Sequence, residues 1–116
     1  MTGNDPDKWM KDRIMSVLNE GNDIKKYPLL RRIDVPDTQE RKLRKLIADL
    51  VFEGEKIGST SKRGYYIIIT DEDLEQALDK LRDQMKTLAM RAYALVKNFK
   101  GKEDPQINLE FKDLLI

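Results

Sequence analysis

The stretch EKIGSTSKRGYYIII, residues 55–69, constrains the fold more than any other part of the chain. A short strand around Ile57 leads into GSTSKRG, which has the composition of a turn. The chain then returns over residues 65–70, which are rich in the β-branched and aromatic residues that favour strands. Because helical patterns lie on both sides, the sequence predicts one β-hairpin in a mainly α-helical chain, with Lys62 and Arg63 at the tip of the hairpin.

Three helical segments are expected before the hairpin. The first follows Pro6 and has apolar residues at helical spacing, namely Met10, Ile14, Val17 and Leu18. Pro28 then limits the next stretch to a short helix or turn. The third helix is predicted over residues 37–53, with Asp37 as its N-cap, Glu40 as the partner in a capping box and Gly54 as its end.

This third helix has two different faces. Its apolar residues recur at helical spacing and are expected to be buried: Leu43, Leu46, Ile47 and Leu50. The other face offers hydrogen-bond donors of the kind that can read the major groove or hold a phosphate: Thr38, Gln39, Arg41, Lys42 and Lys45. Arg41 can pair with guanine through two hydrogen bonds, and Lys62 and Arg63 on the hairpin are suited to phosphate.

A long last helix is predicted from Thr70, capped by Thr70 with Asp73, as far as Gly101. Its apolar residues alternate at spacings of four and three, as in a coiled coil: Leu74, Leu78, Leu81, Met85, Leu88, Ala92, Leu95 and Phe99. A helix of about 30 residues is roughly 45 Å long, more than a small domain covers. The seam from Leu78 to Phe99 is therefore expected to form a homodimer.

The charge of this helix is segregated. Residues 71–83 carry six acidic against two basic residues, and residues 84–102 carry five basic and no acidic residues. The basic segment can pair with the acidic segment of an antiparallel neighbour, which is the favoured interpretation, or it can extend a DNA-binding surface.

The last residues contain a short motif after Pro105. Gln106, Leu109 and Phe111 match the peptide by which bacterial replication proteins dock on the sliding clamp, which would add replication proteins to the expected partners. The same apolar residues can instead fold back on the core or on a sister subunit.

Composition excludes several classes of function. The chain has no Cys and no His, so thiol nucleophiles, imidazole bases and most transition-metal sites are excluded, and no enzyme activity, cofactor or metal is expected. No apolar run reaches the roughly 18 residues that span a bilayer, and the N-terminal residues do not have the order of a signal peptide. A cytoplasmic protein without membrane contact is expected.

The order helix, short helix, basic helix and hairpin with a basic tip resembles the winged helix-turn-helix family over roughly residues 6–70. The motifs that carry the resemblance are TQERKLRKLIADLVFEG and EKIGSTSKRGYYIII, and the stretch that continues into the long helix is similar to small winged-helix proteins of phages and prophages. The resemblance implies that the third helix enters the major groove and that the hairpin, the wing of this family, contacts the phosphate backbone or the minor groove of double-stranded DNA. The departure from the family lies around Pro28, where a regular second helix is usual.

The expected fold is therefore mainly α with a small hairpin: a winged helix-turn-helix domain at 1–70, a long helix at 71–101 and a tail at 102–116. The expected function is that of a DNA-binding transcriptional regulator or an accessory factor of phage-type replication. The alternative is a winged-helix adaptor that holds proteins together without contacting nucleic acid.

Overall fold

The structure is a computed structural model, and it describes residues 5–100. The elements follow in the order α1 (Lys8–Leu18), α2 (Lys26–Arg32), a 3₁₀ turn (Asp37–Gln39), α3 (Glu40–Phe52), β1 (Ile57–Thr60), β2 (Gly64–Ile67) and α4 (Asp71–Lys100). The chain divides into two compact units, Met1–Gln76 and Ala77–Ile116, with α4 beginning in the first and continuing in the second. The predicted fold class is confirmed, because a mainly α chain carries one two-stranded antiparallel hairpin followed by a helix of 30 residues.

The first unit is built around one hydrophobic core. The apolar stripes predicted for the first and third helices are buried, as the helical spacing indicated. The core cluster consists of Met10, Ile14, Val17, Leu18, Leu29, Leu30, Ile33, Val35, Leu43, Leu46, Ile47, Leu50, Ile57 and Tyr65. Each fully buried aliphatic side chain contributes about 1.5–3 kcal/mol relative to its exposed state, so this cluster is the main source of stability.

Helix α2 is short and regular, in agreement with the prediction of a short helix or turn. Pro28 is its third residue, where the missing N–H needs no partner within the helix. Two residues beyond the end of the helix at Arg32, Asp34 lies in the left-handed region at φ 60°. There the N–H of Val35 donates to the carbonyl of Leu30 over 2.9 Å, which satisfies an otherwise unpaired carbonyl at the helix end.

The predicted capping box at the start of the third helix is wrong. Residues Asp37–Gln39 form a 3₁₀ turn that begins after the extended Pro36, and no side chain caps either this turn or α3. The side chain of Asp37 instead accepts a hydrogen bond from Arg31 over 3.1 Å, and that of Glu40 accepts one from the hydroxyl of Tyr27 over 2.6 Å. The predicted end is confirmed, because Gly54 lies at φ 114° and its N–H bonds the carbonyl of Val51.

The second strand is shorter than predicted, since it ends at Ile67 rather than at Thr70. The first strand is longer, because it continues through residues 58–60, which the sequence assigns to the turn. Strand β1 pairs with β2 in the register that places Gly58 opposite Tyr66 and Thr60 opposite Gly64. Ile24 adds an isolated bridge to the hairpin through two hydrogen bonds of 2.9 and 2.7 Å with the backbone of Tyr65. This pairing joins the hairpin to the segment between α1 and α2.

Helix α4 begins with the predicted capping box. The hydroxyl of Thr70 accepts from the N–H of Asp73 over 3.1 Å, and the carboxylate of Asp73 accepts from the N–H of Thr70 over 3.3 Å. Two N–H groups that a helix leaves unpaired at its start are thereby satisfied. In the part of the chain that the structure describes, none of the helices is both long and apolar enough to span a bilayer.

Candidate nucleic-acid interface

The side of α3 that faces away from the core carries exposed cations. Arg41 and Lys45 lie on this side, and Thr38 and Gln39 are exposed on the preceding 3₁₀ turn. Arg41 has no ion-pair partner within residues 5–100. The polar face predicted from the sequence is therefore present at the surface, in the first half of the helix.

Three of the cations on α3, the two lysines and Arg44, have acidic partners. Lys42 contacts Asp7 at 2.8 Å, and Lys45 contacts Asp49 at 3.8 Å. Both lysine side chains remain substantially exposed, at 45% for Lys42 and 73% for Lys45. Exposed ion pairs contribute at most about 1 kcal/mol, so an incoming phosphate can displace either carboxylate.

The tip of the hairpin carries one exposed cation. Lys62 lies in the turn between the two strands and has no ion-pair partner among the described residues. The turn is held by a hydrogen bond of 2.9 Å that the N–H of Arg63 donates to the hydroxyl of Thr60. Lys62 is therefore presented to solvent on a turn that the chain itself stabilises.

Arg63, beside Lys62, has acidic partners within the first unit. Its Nε and Nη2 atoms donate to the two carboxylate oxygens of Asp23 over 2.9 and 3.0 Å. Its Nη1 atom donates to Asp73 over 2.8 Å and to Gln76 over 3.0 Å, and only 24% of the side chain is exposed. The guanidinium is engaged inside the unit, and its contact with phosphate stays a prediction.

The ring of Tyr66 completes this cluster. The guanidinium of Arg63 lies 3.6 Å from the centroid of the ring, and the hydroxyl donates to the carbonyl of Asp73 over 2.9 Å. On the facing strand Gly58 lies directly opposite, and a Cβ atom there would come within 2.6 Å of the ring. We call Asp23, Arg63, Tyr66 and Asp73 the arginine cluster; it connects the loop after α1, the hairpin and the first turn of α4.

The cluster also lowers the pKa of the Asp73 side chain. The hydrogen bond from Arg63, supported by the backbone N–H of Ile69, lowers the pKa of the Asp73 carboxyl from 3.8 to about 2. The carboxylate therefore stays charged through the neutral and mildly acidic range. Sequence reasoning missed the cluster because its members are far apart in the chain; the only local sign was Asp73, already identified as a cap.

Large apolar side chains are exposed at the end of α3. Phe52 is 89% exposed and Val51 is 43% exposed, one helical turn beyond Ala48 on the same helix. Phe52 lies on the same side as Arg41 and Lys45, since it follows them at helical spacing. Phosphate contacts do not account for an aromatic side chain at this position.

The seam predicted on α4 is mostly at the surface of the second unit. Five seam residues of this unit are exposed, namely Leu81, Met85, Leu88, Leu95 and Phe99, and Leu74 in the first unit is exposed as well. Leu78 and Ala92 are half-buried, whereas Ala77 and Ala89 are buried. The candidate peptide motif of Gln106, Leu109 and Phe111 lies outside the described residues.

Within the described range, no three or more acidic residues come close enough together to hold a metal ion. Comparison of the chain with protein-family models, with curated proteins and with solved structures found no significant match.

Proposed function

We propose that the unit Met1–Gln76 binds double-stranded DNA through the outward side of α3 and the tip of the hairpin. The observation that carries the proposal is the pair of exposed cations Arg41 and Lys62, neither of which has an acidic partner within residues 5–100. They lie on the helix and on the hairpin that a winged-helix arrangement presents to a duplex. Transcriptional regulation, or an accessory role in phage-type replication, is the process that this activity would serve.

The roles follow from the side-chain chemistry. Arg41 is suited to two hydrogen bonds with guanine in the major groove, and Lys45 is suited to a neighbouring phosphate. Thr38 and Gln39 precede the helix and can fix a phosphate or read a base edge. Lys62 contributes affinity without sequence choice, and Lys42 joins it when phosphate displaces Asp7.

The test measures binding of the full chain to duplex DNA at low and moderate salt. We expect affinity to fall steeply as salt rises, because released counterions drive phosphate binding. Arg41→Ala should weaken binding by about 1–3 kcal/mol without changing stability, since its side chain is exposed and unpaired.

The matched control is Arg32→Ala, which removes an exposed arginine that is already paired with Glu20 at 2.8 Å. Binding of this variant should equal that of the wild type. Lys62→Ala should weaken binding to all duplexes alike and reduce the slope of affinity against salt by about one. No binding at low salt, or equal losses for Arg41→Ala and Arg32→Ala, would refute the proposal.

A second function is favoured by one observation, the exposed Phe52. Aromatic residues are enriched among the anchors of protein–protein interfaces, and an exposed Phe52 beside Val51 fits a protein adaptor. If the protein is such an adaptor, Phe52→Ala should abolish binding of the protein partner, and Arg41→Ala should have little effect on that binding. A larger loss of DNA binding for Arg41→Ala than for Phe52→Ala would favour the first proposal.

A further inference from the structure

The second unit, Ala77–Ile116, exposes an apolar stripe along α4. Leu81, Met85, Leu88 and Leu95 are 53%, 44%, 59% and 64% exposed, and they follow one another with the spacing of a coiled-coil seam. A row of large apolar side chains at the surface marks an interaction site when its members are contiguous. We propose that a second copy of this chain covers the stripe by pairing its own α4 in the antiparallel direction.

The charges of α4 identify the partner and its direction. The first part of the helix, residues 71–83, has six acidic residues and two basic ones, whereas the described part after it, residues 84–100, has four basic residues and no acidic one. In an antiparallel pair the acidic segment of each copy lies beside the basic segment of the other. The helix is thus complementary to itself only when one copy is reversed.

A parallel pair would bring like charges together. Packed helices lie about 8–10 Å apart, which is within the Debye length of about 8–10 Å at ordinary salt. The acidic segments would then repel each other, and so would the basic ones. The repulsion acts along the whole helix, so charge alone favours the reversed arrangement.

The stripe also fixes the register. When the helix is reversed about the point between Lys86 and Thr87, Met85 lies opposite Leu88 of the second copy and Leu81 lies opposite its Ala92. Leu78 lies opposite Leu95 in the same way. Every seam residue in this span therefore meets another seam residue, as a two-fold interface requires.

The experiment uses the absence of cysteine from the sequence. In the proposed register, Leu81→Cys and Ala92→Cys lie within disulfide reach of each other across the pair, which needs Cα atoms closer than about 7 Å. By contrast, Leu81 of one copy lies about 16 Å along the axis from Leu81 of the other, and the same holds for Ala92, at a rise of 1.5 Å per residue. Neither variant should therefore cross-link alone, and an equimolar mixture should cross-link on oxidation.

The matched control moves both cysteines to the outer side of the helix. Asp83→Cys and Met90→Cys are symmetric about the same point but lie about 200° around the helix from Leu81 and Leu88. A mixture of these two variants should not cross-link. Cross-linking in the control would show random collision and would overturn the assignment.

Sedimentation of the full chain without DNA gives an independent readout. We expect a dimer for the wild type and a monomer of unchanged helical content for Leu88→Lys, because the charge disrupts the seam and the side chain is exposed in the single chain. A monomeric wild type, or cross-linking of Leu81→Cys or Ala92→Cys with itself, overturns the proposal. Since no DNA is present, these outcomes are separate from those of the DNA-binding test.

Discussion

Arg63 and Lys62 show how two neighbouring cations acquire different roles. Lys62 has a flexible stem and lies in the open turn of the hairpin. Arg63 has a planar guanidinium, whose donors reach Asp23, Asp73 and Gln76 at once while its face lies over the ring of Tyr66. A lysine at position 63 can supply the charge but cannot reproduce this geometry, so the difference depends on side-chain shape rather than on charge.

The first prediction concerns the titration of Asp73. Its pKa is about 2 in the folded protein against an ordinary 3.8, so the carboxylate stabilises the fold above about pH 4, and this contribution is lost as the pH falls toward about 2. We expect the melting temperature to fall across that window. Asp73→Asn should melt at a lower temperature than the wild type near neutral pH and show a shallower fall in acid. If the melting temperatures of the two proteins fall in parallel as the pH is lowered, Asp73 is not the cause of the loss of stability in acid.

The second prediction separates two costs at glycine positions. Gly54 and Gly64 both have positive φ, at 114° and 79°, and an alanine in that region costs about 1 kcal/mol. A Cβ atom at Gly54 meets nothing within 4 Å, whereas one at Gly64 lies 2.5 Å from the carbonyl oxygen of Ile24. Gly64→Ala should therefore lower the free energy of unfolding by at least about twice as much as Gly54→Ala. Denaturant unfolding of the two variants measures the difference, and equal losses would mean that the bridge at Ile24 shifts freely.

At the scale of elements, the sequence predicts a capping box at the start of α3 and another at the start of α4, and the two helix starts differ in one respect. Thr70 and Asp73 exchange hydrogen bonds with each other's backbone, while Asp37 and Glu40 do not. The chain leaves Pro36 into a 3₁₀ turn, which moves the start of α3 to Glu40 itself. Glu40 then occupies the first position of the helix rather than the third, so it cannot reach back to Asp37.

The third prediction tests this difference. Thr70→Ala removes a capping hydroxyl and should lower the free energy of unfolding by about 1 kcal/mol. Thr38→Ala removes an exposed hydroxyl that makes no cap hydrogen bond and should change the free energy by less than about 0.5 kcal/mol. Denaturant midpoints of the two variants give the comparison. A loss at Thr38 equal to that at Thr70 would restore a capping role to the 3₁₀ turn.

Local patterns in the sequence were sufficient where the structure depends on neighbours in the chain. The buried stripe of α3, its end at Gly54 and the cap at Thr70 involve residues within one or two turns of each other, so spacing predicts them. The bridge from Ile24 to Tyr65 and the contact from Arg63 to Asp23 join positions about 40 residues apart. No periodicity signals such contacts, because folding alone brings these segments together.

At the scale of the whole molecule, the two units use their apolar residues differently. In the first unit, the core cluster extends from Met10 to Tyr65 and is closed within the chain. In the second, most of the large apolar side chains of α4 between Leu81 and Phe99 are exposed, among them Leu88 and Leu95. The first unit therefore has the means to fold by itself, and the second offers a surface that a second helix can cover.

The last prediction concerns where the folding unit ends. A chain that stops after Gln76 keeps the whole core cluster, the cap at Thr70 and every partner of Arg63 in the arginine cluster. We expect it to unfold cooperatively and, lacking the rest of α4, to sediment as a monomer.

A chain that stops after Ile69 loses Asp73, which is the acceptor for the hydroxyl of Tyr66 and one of the acceptors for Arg63. Tyr66 is only 2% exposed, and loss of a partner by such a buried group costs about 1–3 kcal/mol. The melting temperature of the fragment that ends at Ile69, followed by circular dichroism, should therefore lie clearly below that of the fragment that ends at Gln76. If the longer fragment shows no cooperative transition, the core requires residues beyond Gln76. If the two fragments have the same melting temperature, the arginine cluster does not stabilise the packing of the hairpin on the helical core.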